Sequence, residues 1–177
     1  MHCLCAQGCG VPKSSCEETT APLRPDVELD PTPYFFHGYS FHAGIGWSHW
    51  RLEGEVLQTD VPEWLHGNKG FAVSDRGGGA KLQYFLSPLQ RGVFVGARGE
   101  ITRESLKLRS MDLESRPMRH DFGIDAGYRF QLGRHLYVTP WAGMDYTFDA
   151  HDIQMAGRTY KENRFGFFAA VHIGYRI

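Results

Sequence analysis

The sequence predicts an all-β protein: an eight-stranded antiparallel up-and-down transmembrane β-barrel with a filled polar lumen. Three observations carry that prediction. Apolar residues recur at every second position along most of the chain, the period of a strand with two unlike faces. In the last segment the apolar face is graded along its length, with Phe165 and Phe167 first, Ala169 and Val171 in the middle, then Ile173 and Tyr175. Aromatic rings flanking an aliphatic band are what a bilayer selects, because they favour its two interfaces. The opposite face mixes charges of both signs with many of the 21 glycines. An eight-stranded barrel is only just wide enough inside for side chains to fill it, so small residues and paired charges suit its interior.

The alternation places strands at Val27 to Phe36, Tyr39 to Ser48, Arg51 to Thr59, Gly78 to Leu86, Val93 to Leu106, His120 to Leu132, Leu136 to Phe148 and Arg164 to Ile177. The first puts Val27, Leu29, Pro31, Pro33 and Phe35 on one face, and its prolines remove ladder donors. Pro140 does the same in the seventh; each proline needs a bulge or a place that water reaches. The second shows Phe41, Ala43, Ile45 and Trp47, and the third Leu52, Gly54 and Val56. Ala80, Leu82, Tyr84 and Leu86 line the fourth; Val93, Val95, Ala97 and Ile101 line the fifth. The sixth carries Phe122, Ile124, Ala126, Tyr128, Phe130 and Leu132, and the seventh Leu136, Val138, Ala142, Met144, Tyr146 and Phe148. No charge interrupts any of these faces, as expected where a midplane lysine or arginine costs about 2–4 kcal/mol. An arginine should therefore be worse tolerated at Ala126 or Ala169 than at Gln83 or Gln131.

The predicted site residues fall into two sets. Glu53, Glu55, Lys81, Arg98, Glu100, Asp125, Arg129, Asp145, His172 and Arg176 form a lumenal polar network. Phe41, Trp47, Phe122, Tyr128, Phe130, Tyr146, Phe148, Phe165, Phe167 and Tyr175 form an aromatic girdle. Connections alternate in length. Short turns at Ser48–Trp50, Ser87–Gly92 and Gly133–His135 belong on one side. Longer loops at Asp60–Gly77, Lys107–Arg119 and Asp149–Asn163 belong on the other, with His37-Gly38 as one short turn among them.

Composition sets the outer bounds. A chain of 177 residues suits one domain, read as a polar, proline-containing lead-in over 1–25 and a barrel over 26–177. No apolar run of 18 residues occurs, so no transmembrane helix is expected; mean hydropathy is −0.37, which alternating strands leave looking soluble. A net charge of −1 gives no basic stripe for nucleic acid. Cys3, Cys5, Cys9 and Cys16 cluster before the barrel in no zinc spacing. Met1 to Cys16 also has neither the basic segment nor the apolar stretch of an export signal, which suggests a mis-set start or a missing signal region.

Three segments carry a family resemblance: Val171-His172-Ile173-Gly174-Tyr175-Arg176-Ile177, Gly127-Tyr128-Arg129-Phe130, and Val138-Thr139-Pro140-Trp141-Ala142-Gly143. They resemble small eight-stranded bacterial outer-membrane proteins of the OmpA-transmembrane-domain, OmpX and OmpW class. The resemblance implies a cell outer membrane of Gram-negative type, with short turns in the periplasm and long loops outside. It also implies contact with outer-membrane lipid and lipopolysaccharide, and recognition of the C-terminal strand by the barrel-assembly machinery. That signal carries an aromatic third from the end, matched by Tyr175, and usually a terminal aromatic, replaced here by Ile177.

The functional expectation is a non-enzymatic, monomeric barrel with an envelope structural or surface-interaction role through its loops, needing no cofactor. Other readings are an OmpW-like carrier of small apolar solutes, a soluble lipocalin-like barrel with its apolar faces inward, and a lipid A-modifying enzyme. The last needs a serine activated by a histidine and an orienting carboxylate. The chain has no His-x-Ser, His37-Gly38-Tyr39-Ser40 has the wrong spacing, and His172 with Asp125 or Asp145 is a lumenal dyad that the strand faces allow. Among nine histidines, His66 and His151 fall in long loops without ligand spacing.

Overall fold

In a computed structural model describing residues 22–177 apart from 112, the chain forms eleven strands. They are β1 (Arg24–Leu29), β2 (Tyr39–Trp47), β3 (Trp50–Val61), β4 (Phe71–Phe85), β5 (Gly92–Leu108), β6 (Leu113–Ser115), β7 (Met118–Leu132), β8 (Leu136–Thr147), β9 (Ile153–Met155), β10 (Arg158–Tyr160) and β11 (Phe165–Arg176). Eight long strands pair antiparallel in the order β4-β3-β2-β1-β11-β8-β7-β5, and β4 pairs with β5 to close the ring. The fold is a closed antiparallel barrel. The cysteines fall outside the described residues, and no helix among those residues is long and apolar enough to cross a membrane.

The pleat sorts side chains as the alternation requires. Leu52, Val56, Val95, Ile124 and Phe130 are exposed, while Arg51, Glu53, Lys81 and Arg129 are at most 1% exposed. A lipocalin-like arrangement has the opposite facing, so that reading is overturned. Glycines make the inward room: a Cβ on Gly44 would press on Arg51 and Asp26, and one on Gly174 on Tyr137.

Three differences from the sequence reading have clear causes. The first strand ends at Leu29, not Phe36, and Thr32–Phe36 is a 3-10 helix capped by Pro31, with Pro33 in its first turn. A proline costs nothing where the first N–H groups have no helical partner, whereas it leaves a gap in a ladder. The connection is consequently longer than His37-Gly38. Pro140 does remain in β8, where the β7–β8 ladder runs to Gly127↔Trp141 and resumes at Phe130↔Val138. The long loops are also partly sheet: β4 starts at Phe71 and β7 at Met118, β6 pairs along β5, and β9–β10 form a hairpin.

The seam is the weakest joint. β1 and β11 share four register pairs, Asp26↔Arg176 to Leu29↔Ile173, against fifteen between β4 and β5. Above Ile173, β11 pairs only with β8. The 3-10 helix and the short helix α1 (Glu63–His66) lie on this side, beside a cavity of about 500 Å3. Its walls include Phe36, Trp64, Leu65 and Phe167 as well as the inward-facing His42, Arg98 and His172.

Candidate functional site

The lumen is a stack of side-chain layers. At the short-turn end Gln90, in left-handed backbone (φ 54°), turns its amide inward and donates to the carbonyls of Ser48 at 3.2 Å and Trp50 at 2.8 Å. It is fully buried and closes that end. Above it Phe85 and Phe94 lie 5.0 Å apart, and the Arg129 guanidinium stacks 4.7 Å from Phe85 and 4.1 Å from Tyr137. Arg176 sits at this end, donating to the Leu89 carbonyl at 3.4 Å.

The central layer is ionic. Arg51 donates to Asp26 at 2.6 Å and to Gln83 at 2.9 Å, lies 3.1 Å from Glu28, and also holds Glu53. Arg129 donates to Glu28 at 2.7 Å, and Lys81 stands 3.6 Å from Glu53 and 4.1 Å from the face of Trp141. Charges this deep persist only when each has partners, because the desolvation penalty is several kcal/mol per ion. Gln83 belongs to this layer, so an arginine there would meet Arg51; Gln131, whose amide donates to the Leu136 carbonyl at 3.0 Å, is the better tolerated inward site.

Two histidines cap that layer. His42 Nδ1 lies 2.7 Å from Glu53 and 3.2 Å from Glu55, and its Nε2 lies 2.8 Å from Ser40 Oγ. His172 Nδ1 donates to Glu28 Oε2 at 2.8 Å, so the dyad with Asp125 or Asp145 is replaced by one with Glu28. The reason is register: Glu28 sits opposite Gly174 on β11 and opposite His42 on β2. The imidazoles are 4.4 Å apart. Higher still, Arg98 binds Asp145 at 2.9 Å through Nε, lies 3.1 Å from Glu100 and stacks 3.6 Å over Phe168. Asp125 is buried, and neither of its carboxylate oxygens has a hydrogen-bond partner among the described residues.

Beyond the apolar band, Arg119 collects Glu162 at 3.0 Å, Asp121 at 3.4 Å, Glu104 at 3.8 Å and Asp75 at 4.0 Å. Tyr160 donates to Glu104 at 2.8 Å. Burial first, then the neighbouring Asp75 carboxylate, pushes Glu104 up to about 7; burial pushes Asp75 up to about 6. Over this layer Phe71, Val73, Leu106, Leu108, Met155 and Tyr160 form an apolar core.

Of the expected girdle residues, Phe41, Phe122, Phe148, Phe165 and Phe167 project outward toward the long-loop end, and Tyr146 is half-buried against Phe165. Trp47, Tyr128, Phe130 and Tyr175 project outward near the short turns. Sequence reasoning missed Arg51, Ser40, Gln90, Tyr137 and Trp141 as lumenal residues. Arg51 was findable, since it lies two positions before Glu53 on one pleat face. Ser40 and His42 share a face in the order Ser-x-His, the reverse of the order sought. Gln90 was not findable, because a turn carries no pleat to say where its side chain points.

No family model matches the sequence, and no curated protein does. Solved structures are similar in shape. A major outer membrane protein from Thermus thermophilus is similar with a TM-score of 0.55 at 10% identity, over 88% of this chain and 98% of that one. The fold is that of an outer-membrane β-barrel. Neisserial surface protein A also matches, with a TM-score of 0.49 at 15% identity over 88% of this chain and 94% of that one.

Proposed function

We propose that the chain is an integral protein of a Gram-negative-type outer membrane and that its barrel is a filled anchor, not a pore. The observation that carries this reading is the inverted distribution of polarity: aliphatic and aromatic side chains exposed around the wall, with ions buried within it. Duty then falls to the long-loop end, in an envelope structural or surface-interaction role without catalysis. Arg76 and Arg103 support contact with lipopolysaccharide. They stand directly opposite each other, both exposed, one position beyond the apolar band. Like charges placed face to face are destabilising, and an anionic lipid phosphate between them removes the repulsion. The C-terminal strand, with Tyr175 outward, is the segment offered to the assembly machinery, and ring closure, which pairs every barrel strand on both sides over at least part of its length, supports a monomer.

The test is extraction and conductance. The protein should stay with membranes through carbonate washing, leave with detergent, migrate faster on gels before boiling than after, and give no steady conductance in planar bilayers. Release by carbonate overturns membrane integration; a stable conductance overturns the filled lumen.

A second reading, a carrier of small apolar solutes, is favoured by one observation. The four-pair seam and the adjoining cavity join the outer wall, at Phe167 and Ala169, to the lumen, at Arg98 and His172. Uptake of an apolar dye into vesicles bearing the protein, abolished by a disulfide tying β2 to β11, would support it over the first.

A further inference from the structure

We propose that His42, His172 and Glu53 form a binding site for a first-row divalent cation, with zinc as its natural probe; Glu55, 3.2 Å from His42 Nδ1, lies beside it. One ligand atom from each of the three lies within 4.8 Å of the others, and all three side chains are buried. Imidazole with carboxylate is a zinc donor set, and four ligands are what zinc takes.

The outer shell is what separates this cluster from an ordinary polar core. A metal-binding histidine has its second nitrogen held by a hydrogen-bond partner, which fixes the tautomer and ring orientation. Both histidines are held that way: His172 Nδ1 donates to Glu28 at 2.8 Å, and His42 Nε2 is engaged by Ser40 Oγ at 2.8 Å. Glu28 is itself fixed by Arg129 and Arg51. The nitrogens that face the cluster are His172 Nε2 and His42 Nδ1, the latter already hydrogen-bonded to Glu53 at 2.7 Å. His172 Nε2 is buried and has no hydrogen-bond partner among the described residues, and the same is true of Glu55 Oε1. A buried polar atom without a partner is costly, and a bound cation removes that cost.

Charge favours the same occupant. Asp26, Glu28, Glu53, Glu55, Glu100, Asp125 and Asp145 face Arg51, Lys81, Arg98, Arg129 and Arg176 in the lumen, a surplus of two carboxylates before either histidine is counted. Lys81 and Arg51 touch Glu53 and oppose a cation there; both are already included in that count. Entry is open, since His42, Glu55 and His172 line the cavity beside the seam.

The experiment uses the full chain in detergent after alkylation of its four cysteines, dialysed against zinc chloride and analysed for metal. One zinc per barrel is expected. His172→Gln and His42→Gln should each weaken binding by more than tenfold while heat-modifiable migration confirms a folded barrel. Ser40→Ala, which removes only an orienting partner, should weaken it about tenfold. His37→Ala and His151→Ala, in exposed loops, should change nothing. Cobalt in place of zinc in the unmutated chain gives an answer even if the histidine variants do not fold. The intense visible bands of four-coordinate cobalt support the site, and a pale octahedral spectrum overturns it. Absence of zinc uptake, or uptake unchanged in His172→Gln, also overturns it. So does covalent labelling of Ser40 by a fluorophosphonate, which would make His42 the base of a serine nucleophile instead of a ligand.

Discussion

Within single strands, β4 and β5 build two interiors of opposite character. Along Gly78–Phe85 and Gly92–Ile101 the outward positions are Ala80, Leu82, Tyr84, Val93, Val95 and Ile101, and the inward ones include Lys81, Gln83, Arg98 and Glu100. Along Phe71–Gly77 and Thr102–Leu108 the outer face turns polar, with Ser74, Arg76, Arg103 and Lys107 facing out, and beyond the inward Asp75 and Glu104 the inner face turns apolar, with Phe71, Val73, Leu106 and Leu108 facing in. The pleat continues unbroken through the change, with register pairs from Phe71↔Leu108 to Phe85↔Phe94. What changes is the solvent. Hydrocarbon around a wall demands apolar residues outside and leaves ions to fill the inside; water around the same wall demands the reverse. The crossover at Gly77–Gly78 and Ile101–Thr102 marks where the apolar band ends.

The sharpest way to break the comparison is to remove one charge from the lower interior. Arg51→Met leaves Asp26, Glu28 and Glu53 buried without their shared cation, and breaking a buried pair costs about 3–5 kcal/mol. Refolding into detergent should give little of the faster-migrating form. Arg116→Ala, which removes an ion pair exposed to water with Glu114, should refold normally.

In the upper interior the vulnerable contact is hydrocarbon. Leu106→Ala in the apolar cap should cost about 2–5 kcal/mol of local stability. The loss is confined to the cap, so the variant should keep its heat-modifiable migration while protease cuts the β9–β10 hairpin sooner. Loss of the folded barrel itself would show that cap and lumen are one cooperative unit.

How much of this was legible follows from the same inversion. Below the crossover one parity is apolar throughout, and the strands from Tyr39 to Trp47 and from Leu136 to Thr147 match their predicted spans to within a residue or so. Above it the apolar parity flips, so Phe71–Gly77 reads as a loop although it is sheet. Charge on the inward face is legible as charge, but its pairing is not. That His172 meets Glu28 and not Asp125 depends on the register across the seam between first and last strands, 144 residues apart in sequence. Gln90 lies in a turn, where no periodicity exists to be read, and Pro31 and Pro33 continue the alternation of the first strand although the chain has already left the sheet at Leu29.

A smaller effect sharpens the facing along a single strand. Ala126→Arg places a cation on the outer wall at mid-height, for about 2–4 kcal/mol. Gln131→Arg sits half-buried near the short turns, where the side chain reaches water, and should be nearly neutral. Membrane yields of the two variants should differ accordingly, and equal yields would overturn the assignment of the wall to lipid.

The smallest expected effect lies at the boundary layer between the two interiors. Asp75 and Glu104 are register partners facing inward, with Arg119, Asp121, Glu162 and Tyr160 around them. Both carboxyls are raised, Glu104 to about 7 from 4.5 and Asp75 to about 6 from 3.8, so the closed cap takes up protons that the opened chain releases. A carboxyl with a raised folded value disfavours the fold once ionised. The cap is therefore most stable below the ordinary carboxylate range, and that contribution is lost as pH rises through about 6 and about 7. Amide exchange in the Ile153–Met155 and Arg158–Tyr160 strands, corrected for its intrinsic pH dependence, should show a more closed hairpin at about pH 5.5 than at about pH 8. Glu104→Gln, neutral at every pH and still able to accept from Tyr160, should slow opening at the higher pH and flatten most of the dependence. A hairpin that opens more readily in acid would mean that the pairing of Arg119 with its four carboxylates outweighs their burial.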